Sequence, residues 1–276
     1  MVTRVLRILL AILAATAITF GGITLVRDLN GSASRPSVTG KGPTTEKDDD
    51  FGTVKIYSVD EQGDLDPAAS GLTAHVWDYF RRVITPAFAA EIMLQYRAGD
   101  APKSDTLAYV YQDDDPQYWI LAANLATSKN DADLIATLVH EYSHILTLDT
   151  SQFTVDAASC DTLDLSEGCA NADSYLQVFE DTFWSNYSDA PSAENTDEDI
   201  AYNFYLAHED DFVSDYAATN VVEDTAESFM TFVLEDHPKG NSLIAQKLDF
   251  FWHYPELVTI RERIRTEFQD ELGLAN

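Results

Sequence analysis

His140-Glu141-Tyr142-Ser143-His144 is the part of this chain whose residue types and spacing can do chemistry. Two histidines four apart on a helix project in nearly the same direction and can grip one metal ion. Glu141, one position beyond the first histidine, then lies beside the metal rather than on it. From there it can take a proton from a zinc-bound water, whose pKa the metal lowers to about 7. The surrounding segment, DADLIATLVHEYSHILTL, reads as a helix with Asn130 or Asp131 as its cap and acids in the first turn. Leu134, Ile135, Leu138, Val139, Tyr142, Ile145 and Leu146 wrap most of its circumference, so the helix should be largely buried. Thr137, His140, Glu141 and His144 make one narrow polar stripe along it.

A catalytic zinc needs a third protein ligand and an open fourth position. The metzincin extension requires Gly and His further along, where Thr147 and Thr150 stand, so it is ruled out. A downstream carboxylate is the alternative. Residues 221–235 predict a helix whose apolar face is Ala226, Phe229, Met230 and Val233, with Glu223 and Glu227 four apart on one side. Such a pair lets one carboxylate bind the metal while the other holds a ligating histidine through its second ring nitrogen. Spacing alone leaves two other readings open. Asn220 and Glu223 also fit a capping box, and Glu227 fits an exposed helical position.

HExxH followed by Tyr216, then Glu223-x-x-Ala226-Glu227-x-Phe229, resembles the catalytic signature of gluzincin metallopeptidases related to anthrax lethal factor. It is also similar to a group of bacterial zinc-binding metallopeptidases. The resemblance covers residues 107–235 and is specific at His140–His144 and Tyr216–Phe229. It implies a zincin-like fold in which His140, His144 and Glu223 bind Zn²⁺, Glu141 is the general base and Glu227 supports the metal shell. It further implies that Tyr216 donates a hydrogen bond to the oxyanion, where a single donor matters greatly. The strand before the HExxH helix pairs with the peptide substrate in gluzincins, so the resemblance points to Tyr118–Asn124 as an edge strand.

The elements that must position these residues form an α+β pattern. A strand-like stretch lies at Val54–Val59, a helical pattern runs over residues 74–96 with a restart at Pro86, and two strand-like runs follow at Leu107–Tyr111 and Gln117–Leu125. The turn cluster Asp113-Asp114-Asp115-Pro116 joins those runs as a hairpin. Beyond Asn130 the chain reads as helices with loops near 149–171, 188–198 and 214–221. A small mixed sheet should thus precede a mainly helical half, with the HExxH helix between them.

At the other end, Arg4 and Arg7 precede an uncharged run from Ile8 to Val26. As a helix it would be roughly 28 Å long, enough to cross the hydrocarbon core of a bilayer. Residues 1–29 therefore read as a signal anchor or a signal peptide, with the length favouring the anchor and the arginines on the cytoplasmic side. Residues 30–50 read as a flexible linker and 51–276 as the folded domain. Both readings of the leader export the domain. Cys160 and Cys169 are the only cysteines and lie in the short loop CDTLDLSEGC, which predicts a disulfide in an oxidising compartment.

Composition sets the remaining bounds. With 47 acidic against 17 basic residues, a formal net charge of −30, the chain repels phosphate backbones, which argues against nucleic acid as a partner. His75, His208, His237 and His253 lack ligand spacing, Phe250-Phe251-Trp252-Tyr254 reads as core, and the Asp runs 48–50 and 113–115 read as solvated turns. The expected function is an extracytoplasmic zinc endopeptidase acting on a peptide or protein substrate. Its rival is a membrane-tethered binding or scaffold protein with a structural or silent zinc site, marked by a fourth protein ligand or no groove beside the helix. A self-processing or highly selective protease is the third reading.

Overall fold

The computed structural model describes residues 43–274. The apolar run 8–26 and its leader or anchor assignment lie outside these residues. Strands β1 (Thr44–Asp48), β2 (Gly52–Val59), β3 (Leu65–Asp66), β4 (Met93–Gly99), β5 (Ala108–Gln112) and β6 (Trp119–Asn124) make one mixed sheet. Its order is β1-β2-β4-β6-β5, with β3 pairing β2; β4 and β6 run parallel and the other pairs antiparallel. Helices α1 (Gly71–Ile84) and α2 (Pro86–Ile92) interrupt the strands, and α3 (Asp131–Leu148) follows them. A second sheet of β7 (Phe153–Thr154), β8 (Asp164–Leu165) and β9 (Gly168–Ala170) then precedes α4 (Tyr175–Phe179), α5 (Glu198–Ala207), α6 (Val221–Leu234), α7 (Leu243–Trp252) and α8 (Pro255–Glu267). The described chain is therefore α+β, as its patterning predicts, and it has eight α-helices and a small mixed sheet.

Two expected boundaries and one strand position differ. The helical reading of residues 74–96 holds only to Ile92; Met93–Gly99 is strand β4, paired with β2 on one side and β6 on the other. Two non-local partners satisfy its backbone, which outweighs local helix propensity. The linker assigned to residues 30–50 ends early, because Thr44–Asp48 pairs with β2. This strand is polar because it is an exposed edge, and Asp48 Oδ1 closes the turn after it by accepting from Asp50 N (3.0 Å) and Phe51 N (2.8 Å). Tyr118–Asn124 is not an edge: β6 lies between β4 and β5, and all six of its residues are buried. A continuous apolar run such as WILA fits a strand covered on both faces. The edge on this side of the sheet is β5.

The main core joins α1, α3, α6, α7 and α8 to one face of the sheet, with Tyr96, Phe80, Leu121, Ile135, Phe229 and Phe251 at less than 2% exposure. Phe250 and Phe251 pack within it, as expected. On the opposite face of the sheet a smaller cluster of Phe51, Val54, Ile56 and Ala122 is covered by Tyr109. Among the described residues no helix is long and apolar enough to cross a membrane.

Candidate metal centre

α3 begins where the Asn130 side chain accepts from Ala132 N and Asp133 N, and Asp131 and Asp133 occupy its first turn. Twelve of its 18 residues are buried, among them His140 and Glu141. α6 packs against it and is capped in turn by Asn220, whose side chain accepts from Glu223 N at 2.9 Å. That is half of a capping box. The Glu223 carboxylate does not return to the cap but faces the histidines of α3.

The donor atoms converge. His140 Nε2 and His144 Nε2 are 3.0 Å apart, and Glu223 Oε2 lies 3.2 Å from the first and 3.5 Å from the second. Ligand atoms at the corners of a tetrahedron, with bonds of about 2.0–2.1 Å to zinc, stand about 3.3 Å from one another. His140, His144 and Glu223 thus form the group among the described residues that could hold a metal ion. Glu223 Oε2 is also buried without a hydrogen-bond partner, which is costly unless something charged completes it.

The charges around the triad make the same demand. His140 Nδ1 meets Glu227 Oε1 at 2.8 Å, and the Glu227 side chain is wholly buried. Burial disfavours a charged His140, yet Glu223 and Glu227 together raise its pKa well above the ordinary histidine value. Burial likewise opposes ionisation of Glu223, but His144 and His140 hold its carboxyl well below the usual range. The buried Glu227 and the largely buried Glu223 thus place two carboxyl groups against His140, and a divalent cation would balance their charge. The residues fit a metal; its identity does not follow from the geometry.

Glu141 lies beside the triad. Burial pushes its carboxyl up to about 7, while His140, His144 and the backbone N–H of Val110 pull the other way. Val110 belongs to β5, so the HExxH helix and the sheet edge meet at this carboxylate. Tyr216 sits in a short 3₁₀ turn, Tyr216–Ala218, with its ring centroid 5.9 Å from that of His140. Burial, with Glu223 and Glu141 nearby, raises the phenol well above its usual pKa, which keeps it a hydrogen-bond donor.

A cavity of about 750 Å³ opens over these groups. Thr137, His140, Glu141 and His144, the predicted polar stripe, line it together with Glu223 and Tyr216. β5 and Trp119 form one wall; Val155 and the β8–β9 turn with Ser166 and Glu167 form another, continued by Ala193–Thr196 and Tyr202. Gly168 permits that turn: its φ is +125°, and a Cβ there would meet Thr154 O at 2.5 Å. The predicted disulfide joins Cys160 to Cys169 of β9 and so braces this wall. Asp113, Asp114, Glu167, Glu194, Glu198 and Asp215 line the cavity, and among the described residues no Lys or Arg does.

The structure thus brings His140, Glu141, His144, Tyr216, Glu223 and Glu227 into one place. The other four histidines stay apart from it; His75 meets Asp131, His208 meets Asp189 and His237 meets Asp249. Two features escaped the sequence reading. Ser214 donates to Glu227 Oε2 at 2.7 Å, and Lys247 forms a fully buried ion pair with Asp224 at 2.7 Å behind α6. Searched against protein-family models, curated proteins and solved structures, the chain finds no match.

Proposed function

We propose that this protein is a zinc-dependent endopeptidase of the gluzincin kind, acting outside the cytoplasm. The observation that carries the reading is the triangle of His140 Nε2, His144 Nε2 and Glu223 Oε2 with the Glu141 carboxylate beside it on the floor of an open cavity. Three convergent ligands leave a coordination position for chemistry, whereas a structural zinc is closed by four. Among the described residues no fourth ligand joins the group, and a groove lies beside the helix; both favour turnover over a purely structural site. The disulfide and the arginine-flanked apolar run support export.

Zinc bound here would polarise the scissile carbonyl and make water acidic enough to lose a proton near neutral pH. Glu141, beside the triad, would accept a proton from the attacking water and pass it to the leaving amine. Tyr216 donates to the carbonyl oxygen as it gains charge. Glu227 holds His140 through Nδ1, which would leave Nε2 free to bind the metal. The substrate backbone would lie along β5, the terminal strand on this side of the sheet and a wall of the cavity, rather than along β6. The substrate is a peptide or protein whose segment can extend into the cavity.

The test is zinc content and peptide hydrolysis of the purified protein. Wild type should hold a single zinc and cleave peptides; Glu223→Ala should lose most of the metal, and Glu141→Gln should keep the metal and lose turnover. A folded wild type without zinc would overturn the reading. Full zinc in Glu223→Ala would overturn the ligand set.

A further inference from the structure

Ser214 is buried, at 8% exposure, in the segment leading to the Tyr216 turn. A hydroxyl has one proton to give and lone pairs to receive. The proton goes to Glu227 Oε2 at 2.7 Å, and a lone pair accepts from Ala217 N at 3.1 Å. Ala217 is the middle residue of the turn that carries Tyr216. Glu227 uses its other oxygen on His140 Nδ1. One hydroxyl therefore stands in series between the backbone of the tyrosine turn and the carboxylate that orients a metal-binding histidine.

We infer that Ser214 is a positioning residue that sets the Tyr216 turn in register with the metal shell. This rests on the peptidase reading above for the role of Tyr216, but its link to the metal does not. Without the hydroxyl, Glu227 Oε2 is left buried with nothing to accept from, and Ala217 N loses its acceptor. The carboxylate is then free to rotate away from His140, and the turn is free to shift Tyr216 relative to the triad. A second anchor upstream narrows the motion to this stretch: the buried Lys247 Nζ donates to Asp211 O at 2.8 Å, which fixes the chain just before Ser214. The serine hydroxyl controls what remains.

The experiment compares full-length wild type with Ser214→Ala, Ser214→Thr, Tyr216→Phe and the double variant Ser214→Ala/Tyr216→Phe. Zinc affinity is read by competition with a chromophoric chelator, and kcat and KM on a peptide at saturating zinc. Ser214→Ala should bind zinc about fivefold more weakly and lose about fivefold in kcat, less than the roughly tenfold or more expected when a direct partner of a metal-binding histidine, such as Glu227, is removed. KM should stay within about twofold, and Ser214→Thr should restore both quantities. The double variant should be no slower than Tyr216→Phe, because the serine acts on rate through the tyrosine. Wild-type zinc affinity and kcat in Ser214→Ala would overturn the inference, and so would losses that multiply in the double variant. If Ser214→Ala fails to fold, Ser214→Val against Ser214→Thr makes the same comparison at matched shape. A wild type that binds zinc yet cleaves no peptide would sink the peptidase reading. The zinc affinities would then decide for or against Ser214 by themselves.

Discussion

Glu223 and Asp224 are consecutive on α6 yet serve opposite sides of it: the first faces His140 and His144, the second meets Lys247 at 2.7 Å in the core. Asp224 also accepts from Trp184 Nε1 at 2.7 Å, and Lys247 Nζ lies 3.8 Å from the centre of the Phe212 ring. The first turn of the helix is thus held from behind by a dry ion pair while its front carries the metal-facing carboxylate.

Breaking that pair should be costly. Lys247→Met leaves Asp224 charged or forces it to take a proton in a site with no exposure, and removing one member of a buried pair costs about 3–5 kcal/mol. Adding Asp224→Leu to Lys247→Met should recover a large part of the loss, since both charges are then gone. Urea unfolding of the two variants checks this. A double variant no more stable than Lys247→Met would show that the pair is not the cause.

Metal removal should destabilise the protein through α3 and α6 together. At free zinc about 1,000-fold above Kd, binding contributes about 4 kcal/mol of folding stability. Chelation should therefore lower the melting temperature of the wild type by several degrees. It should leave Glu223→Ala, already deprived of its ligand, almost unmoved. Equal shifts in both proteins would remove Glu223 from the site.

Acid should act on the start of α3. His75 Nε2 lies 2.9 Å from Asp131 Oδ1, and the Tyr79 hydroxyl donates to Oδ2 at 3.0 Å. The His75 bond is the largest influence and, against some burial, holds the Asp131 carboxyl below its ordinary value. A carboxylate depressed in the folded state contributes stability above its unfolded pKa of about 3.9, lost as pH falls through the folded value. Asp131→Asn should thus be less stable than wild type near neutral pH, with the gap closing as pH falls through the folded-state value. The gap should be small, because Asp131 is almost half exposed. A gap independent of pH would exclude the carboxylate charge as its source.

Reducing the disulfide should affect the cavity wall and spare the metal. Closing so short a loop stabilises by about 2–3 kcal/mol, and Cys169 lies in β9 while the metal-facing residues lie on α3 and α6. Cys160→Ser/Cys169→Ser should unfold at lower urea yet retain zinc in proportion to folded protein. Loss of zinc from the folded variant would mean that the wall supports the triad.

The parts of the site that lie on helices were readable in sequence, because helical spacing converts position into direction. The stripe from Thr137 to His144 and the pairing of Glu223 with Glu227 follow from that geometry alone. β4 was hidden because Met93–Gly99 continues a helical pattern, and its strand partners, Tyr57 and Leu121 for Tyr96, come from elsewhere in the chain. β1 was hidden because an exposed edge strand reads as linker. β6 carried its own signal, an apolar run too continuous for an edge, which the expectation of a substrate-pairing strand obscured. Ser214 had none: a serine in a loop obeys no period, and its importance arises only when α3 and α6 come together.

The one-signed lining of the cavity bears on how the centre fills. Among the described residues, carboxylates ring the approach to His140 and His144 with no Lys or Arg in the lining, so a dication arriving there would move down a potential gradient that low-dielectric walls focus. Loading of the apoprotein should accordingly run fastest in dilute buffer and slow as added salt shortens the reach of that field to about 8–10 Å. The acidity of this lining would thus serve as a funnel for a dication.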